Sequence, residues 1–164
     1  MNEFERGLSR RQALMLTGGA IAAASVLSTK PLMASTGTMK NTAKITQVRN
    51  ATIVVEYAGS TFLIDPLFAD QGSLPGFPAS ASSQLNNPLV PLPMAIEDLV
   101  AADAVIVTHL HLDHWDDSAK AAIPRDKPIF AQNEDNAALI RADGFKDVRV
   151  LSETTEFNGI TLAR

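Results

Sequence analysis

The sequence contains no cysteine, which excludes disulfide bonds, thiolate zinc sites and cysteine nucleophiles together. It also lacks an excess of positive charge, because its 164 residues carry a formal net charge of −4 at pH 7. We therefore expect no nucleic-acid-binding surface. Histidine is scarce as well, and all three histidines fall within six residues, at His109, His111 and His114. This clustering indicates metal chemistry.

The N-terminal segment is predicted to be an export signal and not part of the fold. Arg10-Arg11 precedes an uncharged stretch of small and apolar residues over 12–29, and small residues follow near Ala34. This pattern is typical of a twin-arginine signal peptide. We expect a signal peptide over residues 1–34 and a periplasmic or secreted protein that keeps no stable membrane anchor after cleavage. The alternative is an uncleaved anchor, although the stretch could only just span a bilayer.

Hydrophobic patterning divides the remaining chain into a polar tether over residues 35–43 and a folded domain over residues 44–164. The predicted strands are Lys44–Arg49, Thr52–Tyr57, 61–65, 104–108, 128–132, 147–151 and 159–162. The predicted helices are 94–101, 116–123 and a third that begins near Asn133 and ends at Asp143. Gly59-Ser60 is the expected two-residue turn of the hairpin that joins the second and third strands. Strands in hairpins, followed by strands that alternate with helices, predict a mixed α/β sandwich.

A long segment without helical or strand periodicity covers residues 66–93. It holds six of the nine prolines and one charged residue, Asp70. Loops of this length are usually lids over a site or disordered, and the apolar residues of this one favour a partly packed lid. Pro66 at its start is expected to restrict Asp65 to extended backbone.

The segment THLHLDHWD, residues 108–116, carries the predicted chemistry. At the end of a strand, residues two apart point to the same side, so His109 and His111 can bind one ion. The chain must then turn, which lets Asp113 and His114 face an adjacent ion. Imidazoles and carboxylates are ordinary zinc ligands, and zinc lowers the pKa of its bound water to about 7. The reaction class that this implies is hydrolysis.

The three histidines and Asp113 match the H-x-H-x-D-H signature of the metallo-β-lactamase superfamily, and the chain resembles that family over about residues 44–164. The preceding hairpin, the strand end Phe62-Leu63-Ile64-Asp65-Pro66 and the buried strand before the histidines agree with the match. Within the superfamily, the chain looks most like the branch that includes ascorbate-phosphate lactonase-like and phospholipase-D-like hydrolases.

The resemblance implies an αββα sandwich with two zinc ions at one edge between its sheets. It implies that His109 and His111 bind the first ion, that Asp113 and His114 bind the second, and that Asp113 also orients the attacking water. Asp65 resembles an aspartate that steadies the histidine loop without binding metal. From the residues alone, Asp65 could instead cap a turn before proline. The implied function is an exported zinc-dependent hydrolase that cleaves a phosphoester, lactone or amide in a small-molecule substrate.

The chain departs from the family pattern in one respect, and this departure changes the fold that we predict. The family's remaining ligands, further histidines and a bridging aspartate, lie in a second half, and no histidine follows His114 here. We therefore expect the first half only of an αββα metallo-β-lactamase-like sandwich, which would favour self-association through its uncovered strands. The alternative function is a truncated, non-catalytic remnant or interaction module that retains the metal motif. Trp115 and Asp116 are expected to pack and to cap the next helix.

Overall fold

A computed structural model of the protein describes residues 42–164. The expected signal peptide and most of the expected tether lie outside these residues. The strands are β1 (Lys44–Arg49), β2 (Thr52–Tyr57), β3 (Ser60–Ile64), β4 (Ala104–Val107), β5 (Ile129–Ala131), β6 (Val148–Val150), β7 (Thr155–Phe157) and β8 (Ile160–Leu162). The helices are α1 (Ile96–Val100), α2 (Asp117–Ala122) and α3 (Glu134–Ala142). None of the helices within the described residues has the length and apolar character needed to cross a membrane.

Six of the strands form one mixed sheet in the order β1-β2-β3-β4-β5-β6. The pairs β1–β2 and β2–β3 are antiparallel, and the pairs from β3 to β6 are parallel. Each connection between parallel strands contains one helix. Each following strand, from β4 to β6, lies on the same side of the strand before it. Right-handed crossovers therefore place all three helices on one face of the sheet. This arrangement confirms the predicted α/β class.

The main core lies between the sheet and the three helices. Its fully buried members come from the sheet (Leu63, Val105, Val107, Ile129, Ala131), from the helices (Leu99, Ala119, Ala137, Ile140) and from the segment after the histidines (Trp115). Because side chains alternate along a strand, Ala104 and Ile106 of β4 point to the opposite face. Val105 and Val107 of β4 therefore face the helices, and Ala104 and Ile106 face the other side of the sheet.

The opposite face of the sheet is partly covered by the β7–β8 hairpin. Phe157 of β7 meets Phe62 and Phe130 edge-on, with ring centroids 5.7 and 5.4 Å apart. β7 is absent from the sequence prediction, which expects only the returning strand. Beside the hairpin lies a groove of about 380 Å³, lined mainly by apolar side chains that include Val55 and Ile106. The expectation of a half-sandwich stays a prediction.

The hairpin between β2 and β3 turns one residue earlier than predicted. Ala58 and Gly59 are the turn residues, with φ of 49° and 83°, and Ser60 already belongs to β3. A two-residue turn with positive φ at both central positions matches the right-handed twist of the strands that it joins. Ser60 is consequently buried in the sheet.

The backbone of Asp65 differs from the prediction. Its φ is +48°, in the left-handed region, although Pro66 was expected to hold it extended. The hydrogen bonds around this residue account for the difference. Its N–H donates to the carbonyl of Ile106 over 2.9 Å, and its carbonyl accepts from the hydroxyl of Thr52 over 2.7 Å. Aspartate tolerates this conformation better than most residues do.

The loop over residues 66–93 is packed at its base and exposed at its tip. Leu67 and Phe68 are buried, whereas Phe77 is 41% exposed. The buried guanidinium of Arg49 donates to the carbonyls of Leu67, Ala69 and Val90, so both ends of the loop are tied to β1. The base of the loop is therefore packed, as expected, and its role as a lid over a site stays a prediction.

Candidate metal centre

The candidate site lies at the carboxyl ends of two neighbouring parallel strands, β3 and β4. The pairing of Ile64 with Ile106 means that the residues leaving the two strands, Asp65 and Thr108, emerge at the same edge of the sheet. Ligands of open α/β sheets bind at this edge. The motif predicted from the sequence therefore begins where a site is expected.

Asp65 contacts the histidine motif at three points. The backbone N–H of Thr108 donates to Oδ1 of Asp65 over 2.8 Å, and the hydroxyl of Thr108 donates to Oδ2 over 2.8 Å. Nδ1 of His114 lies 2.9 Å from the same Oδ2. Asp65 is only 4% exposed, so these bonds replace the water that its carboxylate has lost. These contacts join Asp65 to the histidine motif, and its steadying role stays a prediction.

The imidazole ring of His109 lies against those of both other histidines. The ring centroid of His109 is 3.8 Å from that of His114 and 4.6 Å from that of His111. Oδ2 of Asp113 is 3.5 Å from Nε2 of His114. A tight turn makes this possible, because the backbone N–H groups of His114 and Trp115 both donate to the carbonyl of His111. All four predicted ligands are thus brought together, and their roles as ligands stay predictions.

The environment of His109 favours its neutral form. Burial lowers the pKa of the His109 imidazole, and the neighbouring His114 and His111 lower it further, against the opposing effect of Asp65 and Asp113. A lowered pKa keeps the ring unprotonated to a lower pH than an isolated histidine. The neutral imidazole is the form that binds a metal ion.

The arrangement fits a metal ion in donor type but not in donor number. Imidazole nitrogens and a carboxylate, without sulfur, are the donors that a catalytic zinc site uses. Across residues 42–164, however, no three or more His, Asp or Glu side chains converge closely enough to hold one ion. The described residues therefore form an oriented cluster of donors without a complete coordination sphere.

Asp116 ties this cluster to the long loop. Its Oδ1 caps helix α2 by accepting from the N–H of Ala119 over 3.1 Å, as the sequence predicts. The same oxygen accepts from the N–H of Phe68 over 3.0 Å, a contact that the sequence does not reveal. Trp115 beside it is buried in the core, which confirms its predicted packing role. One buried carboxylate oxygen thus joins α2 to the base of the loop.

Sequence reasoning missed two hydroxyl residues that support the site. Thr52 donates to the carbonyl of Asp65 and accepts from the N–H of Leu67 over 3.0 Å, which holds the turn at the end of β3. Thr108 bonds to Asp65 and lies 3.0 Å from Nδ1 of His109. Threonines in strands are too common to be noticed singly. Only the position of Thr108 directly before His109 could have drawn attention to it.

The fold and the motif together define a class. A mixed sheet with helices on one face and a histidine-aspartate cluster at the carboxyl end of β4 is an α/β protein with a metallo-β-lactamase-like fold. Comparison with known proteins supports this class, although no protein-family model matches the chain.

The chain is similar to two curated proteins and to several solved structures, two of which are compared below. UPF0173 protein YddR of Bacillus subtilis is 52% identical over 121 residues, which cover 73% of this chain and 48% of that protein. N-acyl-phosphatidylethanolamine-hydrolyzing phospholipase D 1 of Caenorhabditis elegans is 33% identical over 128 residues, 71% of this chain and 34% of that protein. The chain spans about half or less of the length of these curated relatives.

The two solved structures extend the similarity to three dimensions. Isothiocyanate hydrolase from Delia radicum gut bacteria is 52% identical, with a TM-score of 0.66 over 70% of this chain and 44% of that one. A possible metal-dependent hydrolase from Veillonella parvula is 47% identical, with a TM-score of 0.71 over 74% of this chain and 47% of that one. Three of the four names describe hydrolases, so the chain is similar to hydrolases over most of its described residues.

Proposed function

We propose that this chain carries the metal-binding motif of a metal-dependent hydrolase of the metallo-β-lactamase type. The observation that carries the proposal is the contact of one buried carboxylate, Asp65, with both Thr108 and Nδ1 of His114. A metal-binding histidine commonly donates its second ring nitrogen to a carboxylate, which turns the other nitrogen toward the ion. The hydrolase names among the similar proteins support the same function.

We further propose zinc as the metal, with His109 and His111 as ligands of one ion and Asp113 and His114 as ligands of a second. Zinc bound there would supply a Lewis acid and an activated water for hydrolysis. The chain's own residues would contribute the rest: Asp65, which contacts Nδ1 of His114, would orient that ring, and the family resemblance supports Asp113 as the residue that orients the attacking water. The proposed substrate is a small molecule with a phosphoester, lactone, amide or isothiocyanate group.

A second candidate is a non-catalytic module that retains the motif. The described residues hold no group of three converging donors, and a catalytic zinc usually takes three protein ligands. For such a module the donor cluster would be a remnant of the hydrolase site. Hydrolysis of a substrate by the chain would distinguish the hydrolase from this non-catalytic module.

Export is the third part of the proposal, and Arg10-Arg11 before an uncharged stretch supports it. Replacing both arginines by lysine should retain the precursor in the cytoplasm of a bacterial host. Processed protein appearing outside the inner membrane at the parent level would contradict export by this route.

The main experiment measures metal and turnover on the same preparation of full-length chain. We expect zinc in the parent protein by elemental mass spectrometry, little zinc in His111→Ala, and the parent level in the matched control Leu112→Ala, whose exposed side chain has no donor atom. Equal zinc in His111→Ala and the parent would contradict the metal site. Hydrolysis of a phosphodiester, lactone, amide or isothiocyanate by the zinc form would support the hydrolase. Zinc binding without turnover would support the non-catalytic module.

A further inference from the structure

The hydroxyl of Thr108 lies between two groups that each need a partner. Its Oγ1 is 2.8 Å from Oδ2 of Asp65 and 3.0 Å from Nδ1 of His109. Both distances are within hydrogen-bond range. The Asp65 oxygen that accepts from the Thr108 hydroxyl is the same one that contacts Nδ1 of His114.

The direction of both bonds follows from counting protons. A hydroxyl has one proton to donate and lone pairs with which to accept, whereas a carboxylate can only accept. The Thr108 proton is therefore donated to Asp65, and Oγ1 must accept from His109. His109 then carries its proton on Nδ1, and its Nε2 keeps a free lone pair.

We propose that Thr108 is a positioning residue that sets the tautomer of His109 on behalf of Asp65. Asp65 orients His114 directly and His109 through the Thr108 hydroxyl, so one buried carboxylate sets two imidazoles whose rings lie 3.8 Å apart. Each ring donates through Nδ1. Nε2 of His109 keeps its lone pair, and Nε2 of His114 lies 3.5 Å from Oδ2 of Asp113. The tautomer assignment concerns the metal-free chain, and only its use for metal binding rests on the proposed function.

A merely structural role for Thr108 would leave a different signature. Its backbone N–H also donates to Asp65, and this bond would survive any side-chain change. Thr108→Val keeps the shape and the β-branch but removes the hydroxyl, whereas Thr108→Ser keeps the hydroxyl and loses a methyl group. Valine removes the bond from the hydroxyl to Asp65 in either case, so stability alone does not distinguish the two roles. A structural role predicts a loss of stability with an unchanged His109 tautomer, and a tautomer-setting role predicts that the tautomer changes in valine and not in serine.

The test is a long-range proton–nitrogen correlation spectrum of metal-free, ¹⁵N-histidine-labelled full-length chain, recorded at a pH where the imidazoles are neutral. We expect the Nδ1–H tautomer for His109 in the parent and in Thr108→Ser. Thr108→Val should move His109 toward the Nε2–H form that predominates in free histidine. His114, bonded directly to Asp65, should stay in the Nδ1–H form in all three proteins.

An Nε2–H signal for His109 in the parent would overturn the proposal, whatever the variants do. The same holds for a His109 tautomer that Thr108→Val leaves unchanged while His114 shows that the fold is intact. If valine prevents folding, the parent and Thr108→Ser spectra still decide the assignment.

A zinc competition assay separates this proposal from the proposed function. Loss of a residue that orients a ligand typically weakens metal binding about 10- to 100-fold, so we expect that loss in Thr108→Val and near-parent affinity in Thr108→Ser. A parent protein that binds no zinc contradicts the proposed function and leaves the tautomer assignment standing. Equal zinc affinity in all three proteins contradicts a metal-related use of Thr108.

Discussion

Asp65 combines a left-handed backbone with a buried carboxylate that accepts three hydrogen bonds. A non-glycine residue with positive φ persists only where its surroundings hold it, and such residues concentrate at functional sites. Here the surroundings are Thr52, which bonds to its carbonyl, and Thr108, which bonds to its side chain. The strained turn thus aims the carboxylate at the histidines.

Replacing Asp65 by Asn tests the carboxylate without altering the backbone preference, because asparagine also tolerates positive φ. The amide NH₂ would face the backbone N–H of Thr108 at the Oδ1 position or the N–H of His114 at the Oδ2 position, and two donors cannot bond to each other. We expect a loss of about 1–3 kcal/mol in the free energy of unfolding, measured by urea denaturation.

Asp103→Asn is the matched control for that substitution. Asp103 accepts from the N–H of Thr61 over 2.7 Å at an exposed position, where water can replace a lost bond. We expect a change well below that of Asp65→Asn. Equal losses in the two variants would show that the Asp65 network adds nothing specific.

For single residues, the sequence reveals the side chains that can donate to a metal ion but not the hydrogen bonds that hold them. His109, His111, Asp113 and His114 are recognisable because their spacing is rare and each is a metal ligand type. Thr52 and Thr108 are not recognisable, since a hydroxyl gains its role only from neighbours that are distant in sequence: 13 residues separate Thr52 from Asp65, and 43 separate Thr108 from it.

Among the elements, helix α2 depends on a cap that also anchors the loop. Asp116 is 2% exposed and accepts from Ala119 and Phe68, whereas Asn133, the cap of α3, accepts only from Asn136 within its own helix. Removing a cap costs about 1 kcal/mol. Leaving the buried N–H of Phe68 without a partner adds about 1–3 kcal/mol.

We therefore expect Asp116→Ala to destabilise the protein by about 2–4 kcal/mol and Asn133→Ala by about 1 kcal/mol, both measured by urea denaturation. Limited proteolysis should also cut the loop over residues 66–93 faster in Asp116→Ala alone. Equal destabilisation with an unchanged cleavage rate would mean that Asp116 is only a helix cap.

The sequence predicts these elements well where polar and apolar residues alternate and less well at the turns. β1 and β2 have their predicted bounds. The turn between β2 and β3, however, is formed by Ala58-Gly59 and not by the predicted Gly59-Ser60. β7 was missed, although Asn158-Gly159, with φ of 50° and 76°, is a strong hairpin signal between two short strands. Strands of three residues offer too little periodicity for the pattern to reveal them.

For the whole molecule, the two faces of the sheet are covered unequally. Within residues 42–164, the helix face is closed by a continuous core, and the opposite face carries only the β7–β8 hairpin beside an apolar groove. Contiguous apolar surface of this kind takes up hydrophobic probes. We expect the folded full-length chain to bind the dye anilinonaphthalene sulfonate and Val55→Lys, whose substitution lies in the groove, to bind markedly less.

Leu139→Lys is the control for that comparison, because Leu139 is 59% exposed on α3 and takes no part in the groove. Its dye fluorescence should match the parent, and circular dichroism should confirm cooperative unfolding in both variants. Fluorescence that falls equally in both variants would place the dye site elsewhere.

The sequence predicts the α/β class of the whole molecule because alternating strands and helices admit few topologies. It cannot predict how far the second face is covered, since that depends on contacts of single residues such as Phe157 with distant strands. The resemblance to an αββα sandwich indicated where the second layer belongs. The structure shows which residues of that face are occupied by the hairpin.

The central claim is that the histidine motif at the end of β4 binds a metal ion through oriented imidazoles. Zinc K-edge X-ray absorption on the zinc-loaded full-length chain tests it most directly, because it reports the kind and distance of the atoms around the ion. We predict at least two imidazole nitrogens at about 2.0–2.1 Å from the zinc ion in the parent protein, and fewer in His111→Ala. A zinc ion surrounded by oxygen alone, and unchanged in His111→Ala, would contradict it.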